Sequence, residues 1–451
     1  MKKRLMPAIG MLLMFAACTN SEQKEKENVI VTLDPGHFHA ALVQKTQLEN
    51  ISKDVYVYAP AGDDLEQHLQ KIEGYNSREE DPTCWNEIVY RGDDFLEKML
   101  EEKKGNIMVN AGNNSKKTEY LKKSLDAGFN VLADKPMAID SDNFELLKEC
   151  FESAEKNNVL LYDIMTERFE ITSILQKELA HIPEIYGEQI EGTPENPGVV
   201  MESVHNFYKN VSGSALTRPV WFYDVTQQGE SIADVMVHLV DLVQWECFPE
   251  QIIDYANDIK FNSARHWPTT VDPAQFKAST GYDEYPEFLQ KYVVDGILNV
   301  YANGEINYNL KGLNAKVVAL WDYEAPEGAG DSHYSMFHGT KTDLVIRQGF
   351  EQNFIPELYI EPTVADDAYS AQLARSFEAV VAKYPGVSLE KTEKGWHVVV
   401  PQSYRDGHEA HFGKVTENFL QYLSDGKLPD WEVPNMIAKY YTTTQAWKMV
   451  Q

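Results

Sequence analysis

The chain has 451 residues, of which 43% are hydrophobic and 25% are charged, a composition typical of two or three globular domains and not of a disordered or fibrous protein. Acidic side chains outnumber basic ones by 70 to 41, and the formal net charge of −29 repels phosphate backbones and anionic membrane surfaces. We therefore expect no nucleic-acid partner, and an uncharged small molecule such as a sugar is a more suitable ligand than a polyanion.

Residues 1–18 are predicted to be a signal peptide. Basic residues at positions 2 to 4 precede an apolar run that is too short to span a bilayer and has the length of a signal-peptide core. The run ends at Cys18 in a pattern that resembles the lipobox of a bacterial lipoprotein. We therefore expect a lipid on Cys18, a tether over residues 19–28, and anchoring to a bacterial membrane in the periplasm or at the cell surface. An ordinary signal peptide with an incidental cysteine is the alternative.

The first candidate site follows the predicted strand Ile30–Leu33. The segment Asp34-Pro35-Gly36-His37-Phe38-His39 joins this strand to a predicted helix. An aspartate and two histidines just after a strand are suitable ligands for a divalent metal. In a dinucleotide-binding fold, the same position holds the glycine-rich turn that contacts the pyrophosphate. This segment alone leaves both interpretations open.

Strands and helices alternate through the first third of the chain, which is the pattern of a parallel sheet covered by helices on both faces. The predicted helices are Thr118–Ala127 and Asp142–Asn157, the second with a capping signal at Ser141 and Asp142. The predicted strands are Ile30–Leu33, Val55–Tyr58, Ile107–Asn110, Phe129–Ala133 and Val159–Tyr162. We therefore expect a Rossmann-type α/β domain over residues 29–165.

The pattern changes after residue 165. Longer strand-like runs appear, with one strong helix at Ser231–Trp245 and another near the end of the chain. A single barrel would continue the earlier alternation, so a barrel metallohydrolase is disfavoured. We expect residues 166–451 to form a larger α+β domain on a mostly antiparallel sheet. Its clearest predicted strands are Leu298–Tyr301, Ala315–Trp321, Leu344–Ile346 and Trp396–Val400.

The most specific motif is Asp134-Lys135-Pro136, at the end of a predicted strand. A lysine there lies at the carboxyl edge of a parallel sheet, where open α/β sheets bind their ligands. Pro136 restricts the backbone of Lys135 to extended conformations. The structural alternative is a lysine that forms a surface ion pair.

A second motif lies on the predicted helix Ser231–Trp245. Asp234 and His238 are four residues apart and therefore share a helix face, on which Asp241 and Trp245 follow. This face carries His and Asp instead of the Lys and Glu that are common on solvated faces. The alternative is a plain amphipathic helix with a polar face in water.

These two motifs resemble the family of glucose–fructose oxidoreductase and inositol dehydrogenase (Gfo/Idh/MocA), whose members carry Glu-Lys-Pro after a strand and Asp-x-x-x-His on a helix. Asp134 stands in place of the usual glutamate. The segments Asn110–Ser115, Glu167–Phe169 and His411–Trp431 also resemble parts of these proteins. The resemblance identifies the chain as a lipoprotein member of the family, with a dinucleotide-binding domain at 29–165 and a substrate-binding domain at 166–451.

The resemblance implies an oxidoreductase that transfers hydride between NAD or NADP and a secondary alcohol of a sugar or sugar derivative. His238 is expected to accept the hydroxyl proton, because the unperturbed pKa of histidine, about 6.5, lies near neutral pH. Asp234 is expected to orient the substrate and to favour the imidazolium form. Lys135 is expected to stabilise negative charge on the reacting oxygen. Outside the cytoplasm the cofactor would have to be non-dissociable.

Further site residues are implied in the same way, and no metal is among the expected cofactors. Of the dinucleotide fingerprint only the middle glycine, Gly36, is kept, and no acidic residue stands at the usual ribose position, so the choice between NAD and NADP stays open. The expected cofactor contacts are Gly36, His37, Phe38, His39, Asn113, Asn114, Asp134 and Lys135. The expected substrate contacts are His205, Tyr208, Arg218, Trp221 and Asp241.

Other functions stay open. Some relatives oxidise a sugar transiently in order to cleave a glycosidic bond, with no net redox change. The glycine-poor loop is also compatible with a sugar-binding lipoprotein that has lost catalysis, and the metal site at His37 and His39 is a third alternative. Expected partners are a small sugar, further copies of the chain in a homo-oligomer, and a membrane reached only through the lipid.

Overall fold

The computed structural model describes residues 28–211 and 214–451. The predicted signal peptide, the lipidation site at Cys18 and all but the last residue of the predicted tether at 19–28 lie outside these ranges. In the part of the chain that the structure describes, no helix is both long enough and apolar enough to cross a membrane.

Residues 28–170 form a domain in which strands and helices alternate. Its strands are β1 (Ile30–Leu33), β2 (Asp54–Ala59), β3 (Asn86–Arg91), β4 (Ile107–Asn110), β5 (Asn130–Asp134) and β6 (Leu161–Ile164). Its helices are α1 (His39–Leu42), α2 (Asp63–Ser77), α3 (Phe95–Glu102), α4 (Asn114–Asp126) and α5 (Ser141–Asn157). The strands form one parallel sheet in the order β3-β2-β1-β4-β5-β6. The central strands are buried on both faces, which explains their continuous apolar sequences.

Two details of this domain differ from the sequence-based expectation. Strand β3 was not predicted, because it is an edge strand with mostly half-exposed or exposed residues and a polar sequence. Helix α5 is capped by Asp140, whose carboxylate accepts a hydrogen bond from the Asn143 N–H, and not by Ser141 or Asp142. Both errors concern local boundaries and leave the predicted parallel sheet unchanged.

The C-terminal domain is larger and is built on a mixed, mostly antiparallel sheet. Its helices are α6 (Ile171–Ala180), α7 (Val225–Gln228), α8 (Ser231–Asp234), α9 (Met236–Cys247), α10 (Pro273–Thr280), α11 (Asp367–Lys383), α12 (His408–Asp425) and α13 (Glu432–Val450). Its strands are β7 (Val199–Tyr208), β8 (Asn210–Val211), β9 (Ser214–Ala215), β10 (Ile259–Val271), β11 (Val293–Val294), β12 (Ile297–Leu310), β13 (Leu313–Glu324), β14 (Ser332–His338), β15 (Thr342–Gln348), β16 (Glu357–Pro362), β17 (Ser388–Lys391) and β18 (Trp396–Val399).

The order of this sheet is β10-β12-β13-β7-β14-β15-β16-β18-β17, with β11 paired to β12. Strands β13 and β7 are parallel, and the other pairings are antiparallel. Strands β8 and β9 form a separate two-stranded ribbon. The predicted fold class, a Rossmann-type parallel sheet followed by a larger domain on a mostly antiparallel sheet, is confirmed.

The last two helices return to the N-terminal domain. Phe412, Val415 and Phe419 of α12 and Met436 and Tyr440 of α13 are buried in the same apolar core as β1, β4 and β5. The end of the chain therefore helps to fix the position of one domain against the other.

Candidate active site

A cavity of 910 Å³ lies between the carboxyl edge of the six-stranded sheet and the C-terminal domain. Side chains from both domains line it, including Lys135 from the first domain and Asp234 and His238 from the second. The three residues predicted to be catalytic are therefore brought to one cavity, although they are far apart in sequence.

Lys135 and Asp234 form a direct ion pair across the domain interface. The Lys135 Nζ lies 2.7 Å from the Asp234 Oδ1, and both side chains are nearly buried. Burial alone would raise the pKa of Asp234, but the Lys135 charge and a hydrogen bond from Gln228 lower it below its usual value. Asp234 is therefore a carboxylate that holds the Lys135 ammonium group in place.

His238 lies in the same cavity without contacting that carboxylate. The predicted continuous helix Ser231–Trp245 is in fact broken at Val235 into α8 and α9, so Asp234 and His238 belong to different helices. Asp234 accepts from Lys135 and Gln228, whereas the Nδ1 of His238 has no hydrogen-bond partner among the described residues.

The protonation state of His238 also differs from the expectation. Burial, and then the charge of Lys135, lower the pKa of His238 to about 3. The imidazole is therefore neutral at pH 7, but it is a weaker base than the predicted pKa near 6.5 implies. Asp234 pairs with Lys135 and does not hold His238 in the imidazolium form.

The buried side chain of Lys117 supports the Asp134–Lys135 segment, and the sequence analysis did not identify it. Lys117 of α4 is fully buried and donates from its Nζ to the Asp134 carbonyl oxygen at 2.9 Å. Burial lowers the pKa of Lys117 to about 8. Nothing in the sequence marks it, because it follows the exposed Lys116 on an amphipathic helix. The Lys135–Pro136 peptide bond is cis.

Hydrogen bonds to the loop after β4 hold the loop after β1 in a closed conformation. The backbone N–H groups of Gly36 and His37 both donate to the Ala111 carbonyl, at 3.2 and 3.1 Å. A Cβ on Gly112 would overlap the Asp34 carbonyl oxygen, so the glycine there permits this close approach of the loops after β1 and β4. Helix α1 has only four residues. The donors that a phosphate-binding turn needs are therefore already occupied.

The space beside Gly36 is also filled. A Cβ placed on Gly36 would lie 3.0 Å from the Asp64 Oδ2 and 3.3 Å from the Trp221 ring. The Trp221 Nε1 donates to that Asp64 oxygen at 2.9 Å, and burial raises the pKa of Asp64. Neither Gly36 nor Trp221 lines the cavity. In this arrangement the residues around Gly36 do not fit a pyrophosphate group.

His37, His39 and Asp134 meet at the inner end of the same loop. The His39 Nδ1 lies 3.0 and 3.1 Å from the two Asp134 oxygens, and the His37 Nδ1 lies 3.8 Å from Oδ2. Burial, more than any neighbouring charge, lowers the pKa of both imidazoles well below the usual value. The aspartate that joins the histidines is Asp134, whereas Asp34, the carboxylate considered from the sequence, accepts from the Tyr120 hydroxyl.

Of the other expected cofactor contacts, Phe38 and Asn114 line the cavity and Asn113 does not. Asn113 caps α4 by accepting from the Ser115 N–H, and its amide donates to Gln227 at 2.7 Å.

The five expected substrate contacts divide into two groups. His205, Tyr208 and Arg218 line the cavity. Arg218 stacks over Phe222 and donates to the carbonyl oxygens of Phe207 and Asn206, which orients its guanidinium group.

Trp221 and Asp241 are not cavity residues, and the expectation for these two is wrong. Asp241 is buried behind the cavity, where it forms ion pairs with Arg168 at 2.7 Å and Lys439 at 2.8 Å. The polar face of α9 is therefore neither solvated nor wholly directed to the cavity.

Comparisons with known proteins agree with this architecture. Residues 175–451 match the family described as "Putative oxidoreductase C terminal domain". A crystal structure of a "putative oxidoreductase" from Parabacteroides merdae is 60% identical in sequence and has a TM-score of 0.92. The match covers 94% of this chain and 97% of the chain in that crystal structure. The chain belongs to this oxidoreductase family. The prediction that the protein is an oxidoreductase is confirmed at that level.

More distant solved structures share the fold alone. KijD10, a 3-ketoreductase from Actinomadura kijaniata in complex with NADP, is 12% identical, with 94% of this chain and 98% of that chain covered and a TM-score of 0.57. Biliverdin reductase from Synechocystis in complex with NADP+ is 11% identical, with 94% and 99% covered and a TM-score of 0.56. A search of curated proteins gives no match.

Proposed function

We propose that the protein is a nicotinamide-dependent oxidoreductase that acts on a secondary alcohol of a sugar or sugar derivative in the interdomain cavity. The observation that carries the proposal is the 2.7 Å contact between Lys135 and Asp234, with the neutral His238 in the same cavity. Membership in an oxidoreductase family supports the reaction class, and two fold neighbours that are described with NADP support the cofactor class.

The chain's own residues supply binding and proton transfer. His238 accepts the proton of the reacting hydroxyl, because its Nδ1 has no partner among the described residues. Since burial and the Lys135 charge lower the pKa of His238 to about 3, this step requires that Lys135 also makes the hydroxyl more acidic. Lys135 donates a hydrogen bond to the same oxygen and stabilises its negative charge. Asp234 keeps Lys135 charged and in place. Since the loop at Gly36 does not fit a pyrophosphate as it stands, the proposal requires that Trp221 separates from Asp64 when the dinucleotide binds.

The cavity wall suits a polyhydroxylated, uncharged ligand. Trp321 lines the cavity, where it stacks with His205 at 5.3 Å between ring centres and has the Arg218 guanidinium 5.4 Å from its ring centre. Such a mixture of aromatic and polar groups is the usual lining of a small-molecule site. Polar groups of Asn206 and His205 lie on the same wall, both beside Asp331. A 3-ketoreductase among the fold neighbours supports a sugar substrate, and the net charge of −29 disfavours a polyanionic one.

The proposal includes location and cofactor retention. With a lipid on Cys18 the protein would work outside the cytoplasm, where a freely exchanging cofactor is not available. Retention over many turnovers requires a dissociation constant of nanomolar order or below, about −12 kcal/mol. The Trp221–Asp64 contact joins the two domains beside Gly36. Because it has to open before a dinucleotide binds, it supports slow entry of nucleotide into the empty protein. A second carbonyl compound would then reoxidise the cofactor in the same site.

Homo-oligomer formation stays a prediction.

The deciding experiment is nucleotide analysis of the extensively dialysed, acid-denatured protein, followed by assays on a panel of sugars with and without a carbonyl acceptor. We expect about one NAD or NADP per chain and sugar oxidation only when an acceptor is present. Protein that is empty and stays empty with micromolar NAD or NADP would contradict nicotinamide dependence. Protein that is empty but is activated by added nucleotide would contradict retention alone.

A further inference from the structure

We propose that His37, His39 and Asp134 form a binding site for a divalent metal ion of the zinc class, at the position where dinucleotide folds hold their phosphate-binding turn. This inference goes beyond the proposed function and does not depend on it. Two imidazoles and one carboxylate are a usual set of protein ligands for such an ion when a further position is left for water or substrate.

The distances among the three side chains permit a shared metal ion. One ligating atom from each of the three side chains lies within 4.8 Å of the other two. In a tetrahedral site with metal–ligand bonds of about 2.0–2.2 Å, ligand atoms are about 3.3–3.5 Å apart. The separations to the Asp134 Oδ2, 3.0 Å from His39 and 3.8 Å from His37, lie on either side of that value. The His37 Nδ1 also accepts a hydrogen bond from the His39 backbone N–H at 3.4 Å. Binding therefore requires that the His37 ring gives up this contact and moves toward the Asp134 carboxylate.

The three ligands are held by rigid elements. Asp134 is the last residue of β5, and the Lys117 ammonium group binds its carbonyl oxygen. His37 is fixed through its N–H bond to Ala111, and His39 begins α1. All three line the 910 Å³ cavity, so a bound metal ion would have an open position toward a ligand there.

Charge and ligand chemistry are compatible with a cation. Asp134 is 3% exposed, and among the described residues its carboxylate contacts only the two imidazoles. Three cations lie near the imidazoles: Lys135, Lys117 and Arg218. Asp234 pairs with Lys135 at 2.7 Å, and the metal ion has to bind against the charge of the other two. The open position would take a water molecule, or a hydroxyl or carbonyl oxygen of the ligand in the cavity.

Two departures from the family pattern also meet at this site. With Gly36 as the middle glycine of the fingerprint, the third glycine falls at His39, and Asp134 replaces the glutamate of Glu-Lys-Pro. These two substitutions are 95 positions apart in the chain, yet their side chains are in hydrogen-bond contact. A metal site explains both with a single requirement.

The test is metal binding by the full mature protein, purified without a histidine tag. The protein is stripped with a chelator and titrated with Zn²⁺, and Co²⁺ is added in parallel so that its visible absorption reports coordination by nitrogen. We expect about one Zn²⁺ per chain. His37→Ala, His39→Ala and Asp134→Asn should each weaken binding by more than about 100-fold, because even residues behind a metal ligand account for 10- to 100-fold.

His333→Ala is the matched control, because His333 lines the same cavity and is bound to Ser203; it should bind Zn²⁺ as the wild type does. Circular dichroism of the metal-free proteins checks folding, and Asp134→Asn preserves the size of the side chain if an alanine variant does not fold. A stripped wild type that takes up no stoichiometric Zn²⁺ would overturn the proposal, as would folded variants that keep the wild-type affinity. Neither readout involves turnover or nucleotide.

Discussion

The loops after β1 and β5 leave the same edge of the same parallel sheet, and they offer a ligand very different surfaces. After β5, the Lys135 side chain reaches the cavity and meets Asp234 of the other domain. After β1, the N–H groups of Gly36 and His37 are bonded to Ala111, and Trp221 covers the glycine. The fold brings both loops to the place where ligands bind, but local hydrogen bonding decides which loop is available.

The largest effect is expected in the cavity that the Lys135 side chain reaches after β5. His238→Ala should lower the turnover number by about 10²- to 10⁴-fold, the usual contribution of a positioned acid–base group. It should leave bound nucleotide unchanged, since His238 lies beside the reacting oxygen and not in the β1 loop. Steady-state kinetics with nucleotide analysis measure both. The exposed Lys116→Ala is a surface control, and near-normal turnover in His238→Ala would reject the assigned base.

Asp234 of α8 and Asp241 of α9 were predicted to share one helix face, but their surroundings in the structure differ. Asp241→Asn should destabilise the protein by up to about 3–5 kcal/mol, because the buried charges of Arg168 and Lys439 would each lose one of two carboxylate partners. Only Glu432 and Asp163 would then remain to pair with them. Urea unfolding measures the change. Glu66→Gln, in an exposed pair with Arg91, should cost less than about 1 kcal/mol. Equal effects in the two variants would contradict a structural role for Asp241.

The N-terminal domain contains a buried imidazole, that of His68, which should make the free energy of unfolding depend on pH. His68 of α2 is 4% exposed, neither ring nitrogen has a hydrogen-bond partner among the described residues, and burial lowers its pKa to about 4. Because the unfolded chain binds a proton at about pH 6.5, stability is fully present above that pH and falls between about 6.5 and 4. At pH 5 the loss from this group is about 2 kcal/mol.

His68→Leu tests this prediction. The free energy of unfolding is measured for both proteins at pH 8 and pH 5, where contributions from all other groups cancel between them. The wild type should lose about 2 kcal/mol more than the variant on acidification. An equal loss in the two proteins would show that His68 is protonated in the folded state.

The smallest effect is expected from the contact that closes the β1 loop. Trp221→Phe keeps the ring over Gly36 and removes the N–H that donates to Asp64. Because this contact has to open before the nucleotide enters, loss of a hydrogen bond to a charged group, about 1.5 kcal/mol at the low end, should speed nucleotide binding to the emptied protein about tenfold. Trp267→Phe, on β10 of the same C-terminal domain, is the control. An unchanged binding rate would mean that this contact does not limit entry.

Much of the fold could be predicted, because β1, β4 and β5 are short apolar runs bounded by polar turns and match the buried strands of a parallel sheet. Lys135, Asp234 and His238 were found from spacing and resemblance, and they share one cavity. Spacing could not show the interruption at Val235, nor that Asp241 pairs with Arg168 and Lys439. Nor could it show that an aspartate far along the chain, Asp134, faces His37 and His39, since that contact depends on strand order.

The ion pair of Lys439 has a consequence for how the chain is made. Lys439 is fully buried in α13, almost at the end of the chain, and its Nζ lies 2.8 Å from both Asp163 of β6 and Asp241 of α9. A ribosome releases the first domain long before it reaches this lysine, and domains tend to fold as they emerge. Until α13 has left the exit tunnel, Asp163 lacks the Lys439 partner that it has among the described residues. We therefore expect the core of the N-terminal domain to be completed only after most of the C-terminal domain has been synthesised.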